Sequence, residues 1–328
     1  MSTTISRRAF TAGTIATIAG GAVFSLPVAQ VAAQATPAAD LASLGLPTID
    51  ILVTADAFEG APLKLDAGRY LLTVTLGGGV DTGAVGFISP PGSMSAQNFW
   101  SYLTAATGTP EASPEAMPVA SPVAEEGEEQ PVVLPSIVYQ AIWAGGASRE
   151  SSQTSPGAGQ AVIDLPQGQW ILWGNDPEAA QPPVFFSVSG SMPTDLAEPA
   201  SDIDVTFADY TIAFEGTLTA GDHLMRIENT GAEPHFVVLL KGPDQMTNDD
   251  LDKLFSPGME AGTPPDLGWD PDKDITFILD TGIQSAGTVS WVPVTLETGT
   301  YAGLCFFPAA GTGVDHASMG MHTVFTVT

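Results

Sequence analysis

Short apolar runs separated by glycine and proline recur along the chain from Ile49 to the C-terminus. Apolar and polar residues alternate in the runs that begin at Ile49, Tyr70 and Val85, and this period of two is typical of half-buried strands. The 328 residues include 35 glycines and 27 prolines, so turn residues are available at many strand ends. These features predict an all-β protein with many turns.

One helix is also indicated near the middle of the second half. It runs from Thr247 to Phe255, where Thr247 is placed to cap the helix and Asp250 completes a capping box. Because the segment is short, we expect it at the rim of the fold.

The two halves of the chain repeat four landmarks in the same order, which favours a tandem duplication. The matched pairs are Phe58-Glu-Gly60 with Phe214-Glu-Gly216, Ala67-Gly68 with Ala220-Gly221, Met94-Ser95 with Met246-Thr247, and Leu165-Pro-Gln-Gly168 with Leu296-Glu-Thr-Gly299. We therefore predict two tandem Greek-key β-sandwich domains, at residues 36–198 and 199–328, with the boundary near residues 193–203.

The N-terminus has the order of a twin-arginine export signal. Arg7 and Arg8 precede an uncharged apolar run, and Ala33-Gln34-Ala35 forms a small-residue cleavage site. The alternative is a retained membrane anchor, but the run from Ala12 to Leu26 is short and rich in Gly and Thr for a spanning helix. We predict that residues 1–35 are a cleaved signal and that the mature chain, without an integral membrane span, is extracellular, on the cell surface or periplasmic.

The chain is strongly acidic. The formal net charge is −28, and basic clusters are absent, so nucleic acid and anionic membranes are unsuitable partners and a cationic protein is favoured.

Residues 108–130 are rich in Pro, Ala, Ser and Glu and have no periodic apolar face. They lie between matched landmarks of the first half, so we predict a disordered acidic insertion within that domain.

The single cysteine, Cys305, cannot form an internal disulfide, and its neighbours favour metal binding. His316 and Met321 follow it closely, and His235 lies upstream after an Asn-Thr-Gly-Ala-Glu-Pro turn. Two imidazoles, one thiolate and one thioether are the donor set of a type-1, or blue, copper site. Each residue alone has a plainer interpretation, with Cys305 as a small buried apolar residue, His235 as a strand-edge residue and Met321 as core.

The order of these residues resembles that of the cupredoxin family. The resemblance implies that His235, Cys305 and His316 are equatorial ligands of one copper ion and that Met321 is the weak axial ligand. It also implies that His316 is the route for electrons and that the phenylalanines after Cys305 exclude water. The ten-residue loop between Cys305 and His316 is longer than in plastocyanin-like proteins, and it leaves Met319 as an alternative axial ligand.

The first half contains neither histidine nor cysteine, so it has no ligands for this kind of site. Aligning the repeats places Gly174 where Cys305 stands and Thr82 where His235 stands. The remaining histidines, His223 and His322, have no partners at useful spacing, and we predict structural or surface roles for them, with His322 near the mouth of the site.

Three functions remain open from the sequence. The first is an exported one-electron carrier that exchanges electrons with a cationic redox protein. The second is a non-catalytic binding, scaffold or copper-storage protein with a degenerate site. The third is a copper enzyme such as a nitrite reductase or multicopper oxidase, which needs additional histidines that are scarce here.

Overall fold

The computed structural model describes residues 41–92, 94–107, 133–174, 181–255 and 265–328. The predicted export signal at residues 1–35 and the predicted acidic insertion at residues 108–130 lie outside these ranges. Among the described residues, no helix is both long enough and apolar enough to cross a membrane.

The described chain is built mostly of strands. Three short 3₁₀ turns cover Leu41–Leu44, Ser136–Gln140 and Ala317–Met319. The first half contains β1 (Thr48–Val53), β2 (Phe58–Glu59), β3 (Lys64–Asp66), β4 (Gly68–Leu76), β5 (Thr82–Ser89), α1 (Ala96–Thr107), β6 (Ile142–Glu150), β7 (Gln160–Leu165), β8 (Gly168–Trp173) and β9 (Val184–Ser189). The second half contains β10 (Ile203–Ala208), β11 (Thr211–Gly216), β12 (Gly221–Asn229), β13 (Val238–Gly242), α2 (Asn248–Phe255), α3 (Pro271–Asp274), β14 (Thr276–Asp280), β15 (Val289–Leu296), β16 (Gly299–Leu304) and β17 (His322–Val327).

The strands form three sheets. The largest has eight strands in the order β11-β10-β12-β15-β7-β4-β1-β2 and therefore includes strands from both halves. A five-stranded sheet, β3-β9-β8-β5-β6, belongs to the first half, and a four-stranded sheet, β14-β13-β16-β17, belongs to the second. The all-β expectation is thus confirmed at the level of a mostly β protein with several sheets.

The two halves share one set of strand pairings. In the first half β1 is parallel to β4, and β4 is antiparallel to β7; in the second half β10 is parallel to β12, and β12 is antiparallel to β15. The smaller sheets correspond in the same way, because β5 pairs with β6 and β8 as β13 pairs with β14 and β16. The corresponding strands β7 and β15 pair with each other and join the halves.

Several elements differ from their predicted bounds. The helix α2 begins one residue after its cap, with Thr247 and Asp250 exchanging the reciprocal bonds of a capping box. The twelve-residue helix α1, at the corresponding place in the first half, was not predicted. His235 precedes β13 by three residues and forms an isolated bridge with Gln284.

Arg69 ties the two halves together from within the shared sheet. Its guanidinium forms two hydrogen bonds to the Asp164 carboxylate, at 2.7 and 2.8 Å, and a third to the Ala197 carbonyl oxygen. The same group lies 4.3 Å from the ring centre of Trp291 in β15. Only 7% of the Arg69 side chain is exposed, so its charge depends on these partners.

Replacing Arg69 by methionine is expected to lower the free energy of unfolding by about 3 kcal/mol, because it leaves the Asp164 carboxylate without its partner. Urea denaturation followed by circular dichroism measures the change. Lys241→Met is the control, since it removes an ion pair whose Glu297 partner is largely exposed and is expected to cost less than about 1 kcal/mol. Equal losses in the two variants would contradict the role given to Arg69.

Candidate metal centre

Neighbouring strand ends bring the histidine and the cysteine together. β13 and β16 are antiparallel, and Val238 at the start of β13 pairs with Leu304 at the end of β16. His235 lies just before the first strand and Cys305 just after the second, so both side chains lie at one end of this sheet. The backbone of His235 is held by Gln284, which donates to and accepts from it at 2.8 and 2.9 Å.

The long loop after Cys305 folds back on itself. Ala309 donates its amide to Val314 and accepts from Gly313, which closes a compact turn. His316 then donates its amide to the carbonyl oxygen of Phe307 at 3.0 Å. The extra residues form their own hydrogen-bonded turn, so the loop returns His316 to the cysteine despite its length.

The three side chains point their donor atoms at one spot. The Nδ1 atoms of His235 and His316 are 3.0 Å apart, and Cys305 Sγ lies 3.9 and 3.6 Å from them, respectively. All three residues are buried, and they form a group of metal-binding side chains whose donor atoms lie within 4.8 Å of one another. A point equidistant from the three atoms is about 2 Å from each, close to the length of a metal–imidazole bond.

Two carboxylates orient the imidazole rings. His235 Nε2 lies 3.2 Å from Asp209 Oδ1, and His316 Nε2 lies 3.1 Å from Glu233 Oε2. An ionised carboxylate only accepts hydrogen bonds, so each Nε2 must carry the proton and donate. Both Nδ1 atoms are then unprotonated, and their lone pairs converge at 3.0 Å. Without a cation between them these lone pairs repel, and this arrangement of carboxylate and histidine is the one that metal-bound imidazoles usually have.

The carboxylates are themselves held in place. Asp209 accepts the amides of Ala232 and Glu233 at 2.8 and 3.2 Å, and these bonds help to hold the pKa of Asp209 below its usual range despite partial burial. Glu233 accepts the Ala310 amide at 3.1 Å. A side chain at Gly231 would place its Cβ 2.5 Å from Asp209 Oδ1 and 2.9 Å from His235 Nε2. Glycine at this position therefore lets the first carboxylate reach its histidine.

Burial keeps both imidazoles neutral. Together with the neighbouring His316, burial lowers the pKa of His235 to about 4. Burial likewise lowers the pKa of His316 to about 4. Neutral imidazole is the form that binds metal ions, so at neutral pH both rings are ready to do so without releasing a proton.

These shifts predict a pH dependence for the metal-free protein. Between pH 6.5 and about 4 the two histidines bind protons in the unfolded chain and not in the folded one, so stability falls as the pH is lowered through this window. Each histidine contributes on the order of a few kcal/mol. Urea denaturation of metal-free protein between pH 7.5 and 4.5 measures the loss, and His316→Gln is expected to reduce the slope. An unchanged slope in that variant would contradict neutral burial of His316.

Cys305 is fully buried, as are the two histidines of the cluster. Burial raises the pKa of its thiol to about 12, although amide groups of Phe236 and Phe307 near the sulfur act in the opposite direction. The metal-free protein therefore carries a neutral thiol at neutral pH. A metal ion would have to displace this proton, since the thiolate is the form that binds metals.

The two candidate methionines differ in their surroundings. Met321 is fully buried, donates its amide to the His316 carbonyl oxygen at 2.8 Å and accepts the Cys305 amide at 3.2 Å. Met319 is 42% exposed. The left-handed Gly320, with φ of 95°, separates them and provides the bend that turns one outward and the other inward.

Aromatic rings surround the cluster. Phe307 is fully buried, and its ring centre lies 6.0 Å from that of His316, while Tyr210 approaches the same imidazole edge-on at 5.2 Å. Tyr210 has a φ of 63°, an uncommon conformation for a residue with a bulky side chain, in the hairpin between β10 and β11. Tyr139, from the first half, contacts Phe307 and donates its hydroxyl to the Pro308 carbonyl oxygen.

The other two histidines lie outside the cluster. His223 is buried, with its ring nitrogens 2.6 Å from an Asp202 carboxylate oxygen and 2.8 Å from the Thr219 carbonyl oxygen, which indicates a structural role. His322 packs against Phe255, with its Nε2 3.2 Å from a carboxylate oxygen of Asp252. Neither is among the three residues whose donors converge.

The corresponding place in the first half is closed by packing. Gly86 pairs with Trp173 as Val238 pairs with Leu304, so Gly174 is the counterpart of Cys305. The same register makes Gly83, and not Thr82 as the sequence alignment indicated, the counterpart of His235. A Cβ at Gly174 would lie 2.7 Å from the Phe58 ring, so the space of the sulfur is already filled.

Sequence reasoning missed the residues that orient the donors. Asp209 and Tyr210 belong to a hairpin that carries no metal-binding motif, and Gln284 lies in an unremarkable loop. Glu233 stands two residues before His235 in the turn that was singled out, but nothing distinguished it among 37 acidic residues. Its nearness to the histidine along the chain was the one available signal.

No protein-family model matches this sequence, and no curated protein matches it. Among solved structures, the chain is similar to a dithionite-reduced auracyanin from Roseiflexus castenholzii, with 22% identity over 38% of this chain and 94% of that one and a TM-score of 0.24. Auracyanin A, a "blue" copper protein from Chloroflexus aurantiacus, is 19% identical over 38% of this chain and 97% of its own, with a TM-score of 0.25.

A copper nitrite reductase from Nitrosomonas europaea is 10% identical over 86% of this chain and 93% of its own, with a TM-score of 0.20. At such low scores these likenesses carry no weight for function, which depends on the donor atoms of this chain. The chain has structural similarity to auracyanins, and its His-Cys-His cluster, followed by the buried Met321, has the donor set of a cupredoxin type-1 copper site.

Proposed function

We propose that this protein is an exported cupredoxin-like electron carrier built from two tandem Greek-key β-sandwich units, with one type-1 copper ion in the second. His235, Cys305 and His316 would hold the ion, and Met321 would be the weak axial ligand. The observation that carries the proposal is the pair of carboxylate-bonded imidazoles whose Nδ1 atoms converge beside a buried thiol. When bound, copper supplies one-electron exchange between its Cu(I) and Cu(II) states.

The residues around the donors suit electron exchange better than substrate chemistry. The three donor side chains are buried, and backbone bonds tie His316 and Cys305 to Met321, so their geometry changes little when charge is added or removed. The buried Phe307 helps to exclude water from the site. Among the described residues, the single group of metal-binding side chains is this one, and it contains no additional donor for a second metal.

Export by the twin-arginine route and docking onto a cationic redox protein remain part of this proposal. They are supported by the N-terminal sequence and by the net charge of −28. A copper-storage or binding role is the second candidate, and the enclosure of His316 favours it, since a buried imidazole is a less obvious outlet for electrons.

Reconstitution of the exported chain with Cu(II) tests the proposal. We expect one copper ion per chain by elemental analysis, an intense visible band from the thiolate–copper bond and reversible bleaching by a one-electron reductant. A colourless protein that holds copper and does not cycle would favour storage. A folded protein that takes up no copper would refute both roles.

A further inference from the structure

A line of aromatic rings leads from the metal centre into the first half of the chain. Phe307, which contacts His316, lies 6.0 Å from Trp143, measured between ring centres. Trp143 lies 6.0 Å from Trp173, and Trp173 lies 6.2 Å from Trp100. Each spacing is that of aromatic rings in contact.

The line begins beside the donors and ends near the surface. Phe307 is two residues after Cys305 and is fully buried, as are Trp143 and, nearly, Trp173. Trp100 is only partly buried and belongs to α1, whose neighbouring residues Gln97 and Asn98 are exposed. The rings therefore join the cluster to a surface of the half that has no donors of its own.

The direct route for electrons, from the metal centre to solvent through His316, is blocked by neighbouring residues. His316 is fully buried, its Nε2 is bonded to Glu233, and its ring is in T-shaped contact with Tyr210. The resemblance to cupredoxins implied that electrons leave through this imidazole, but here its outer edge has no contact with solvent. An electron path to the surface has to pass through neighbouring groups.

Trp143 is fixed to both halves, which keeps the line of rings rigid. Its amide donates to Ser285 Oγ, and its carbonyl oxygen accepts the Ser285 amide, both at 2.9 Å. Its indole N–H donates to the Val138 carbonyl oxygen at 3.0 Å. The ring thus spans the junction of the halves in one orientation.

The other two tryptophans are not explained by hydrogen bonding. Within the described part of the chain, the buried indole nitrogens of Trp100 and Trp173 have no hydrogen-bond partner. Burying an unpaired N–H costs free energy that a phenylalanine would avoid. Trp269 and Trp291, which lie off the line, share this feature, so the missing bond does not by itself mark the path. Trp100 and Trp173 differ from them because their rings contact each other and, through Trp173, contact Trp143.

We propose that the first half is the electron port of this protein, with electrons passing between Trp100 and the metal centre through Trp173, Trp143 and Phe307. This inference rests on the proposed electron-carrier function. Each passage moves one electron between the copper and an external one-electron redox protein docked at α1, so one is oxidised as the other is reduced. The rings return to their starting state, no bond is made or broken, and no proton moves, because the indole N–H of Trp173 has no acceptor among the described residues.

Flash photolysis tests the port. A ruthenium polypyridyl photo-oxidant is attached to the exposed helix α1 through Gln97→Cys; Cys305 is buried and does not compete for the label. After a flash with an electron-accepting quencher, growth of the blue band reports oxidation of Cu(I) by the label. The matched control carries the label at Asp249→Cys, an exposed position on α2, the corresponding helix of the second half.

We expect a fast oxidation phase in the α1-labelled protein that is lost in Trp173→Phe and in Trp100→Phe. Neither variant is expected to change the rate at which the label on α2 oxidises Cu(I). The zinc-loaded protein offers a readout without copper. Flash excitation of the label on α1 is expected to produce a tryptophan radical, which electron paramagnetic resonance detects. The double variant Trp100→Phe/Trp173→Phe is expected to remove this radical or move it to another residue.

An unchanged fast phase in both phenylalanine variants would overturn the port. So would an equal slowing from the α2 label, because that result indicates a general disturbance of the metal site. Failure of the proposed function is a different outcome, recognised by the absence of a blue band in the unlabelled wild-type protein. If either Trp100→Phe or Trp173→Phe does not fold, the remaining variant alone tests the port, because the two tryptophans occupy successive places in the line.

Discussion

The variant Cys305→Ser is expected to lose the intense visible band of the copper-loaded protein completely. That band requires a thiolate bound to Cu(II), and a serine hydroxyl is not deprotonated under the same conditions. Copper affinity is expected to fall by more than the roughly 10- to 100-fold that loss of a residue hydrogen-bonded to a metal ligand costs, because a direct donor is removed. The metal-free fold changes little, by about 1 kcal/mol, since serine is similar in size and the amides near the sulfur can donate to its hydroxyl.

Absorption spectra and a copper titration measure these effects. Met319→Leu is the matched control, because Met319 lies in the same loop but is 42% exposed and is expected to leave the colour unchanged. Met321→Leu, in contrast, is expected to keep the band and to shift its position and the reduction potential, as loss of a weak axial thioether does. Retention of full colour in Cys305→Ser would show that another residue holds the copper.

Glu233→Ala is expected to weaken metal binding by roughly 10- to 100-fold, because the carboxylate is the hydrogen-bond partner of a candidate metal-binding imidazole. The glutamate fixes the tautomer of His316 through the 3.1 Å contact between Nε2 and Oε2. It also accepts the Ala310 amide and so anchors the loop that carries the histidine. Without the carboxylate, the buried Nε2–H has no acceptor. The proton of the neutral imidazole can then shift from Nε2 to Nδ1, which blocks the metal-binding nitrogen.

Glu233→Gln separates geometry from charge. Glutamine keeps an acceptor for the imidazole N–H but removes a negative charge close to the metal site. We expect its metal affinity to fall less than in Glu233→Ala and its reduction potential to rise, because a nearby negative charge stabilises Cu(II) relative to Cu(I). Zinc titration reports affinity without redox chemistry, and cyclic voltammetry of the copper form reports the potential.

Asp252→Asn is the control for both substitutions. Its carboxylate also lies 3.2 Å from a histidine, but that residue is His322, which is outside the converging cluster, and Asp252 is 62% exposed. Neither affinity nor potential is expected to change. If this variant alters the potential as much as Glu233→Gln does, the effect arises from overall charge and not from the bond to His316.

The donor residues could be read from the sequence because strand order and residue type restrict where a site can form. A cysteine at the end of one strand and a histidine at the start of its neighbour lie at the same end of a sheet whenever those strands pair antiparallel. β13 and β16 do pair in this way. The strand Thr48–Val53 was likewise indicated by the alternation that begins at Ile49, and its buried residues do alternate with exposed or partly exposed ones.

Other features could not be derived from local patterns. The helix α1 was missed because its residues resemble a buried apolar segment and because it has no acidic residue in its first turn and no basic residue in its last turn to mark its ends. The strand pairing shifts the correspondence between the halves by one residue, so Gly83 and not Thr82 is the counterpart of His235. Sequence landmarks align turns, whereas strand pairing decides which residues face each other.

The chain's own sequence determined which atoms are available for a metal: one thiol, two imidazoles after recognisable turns, and a thioether, all in the second half, since the first half contains neither histidine nor cysteine. Tertiary structure decided their chemical state. Asp209 and Glu233 approach the imidazoles from separate segments and set the tautomers, while burial keeps the rings neutral and the thiol protonated. Tyr139 and Trp143 cross from the first half to enclose the site. Such contacts join residues far apart in the chain, and their energies depend on distances and burial that no local pattern encodes.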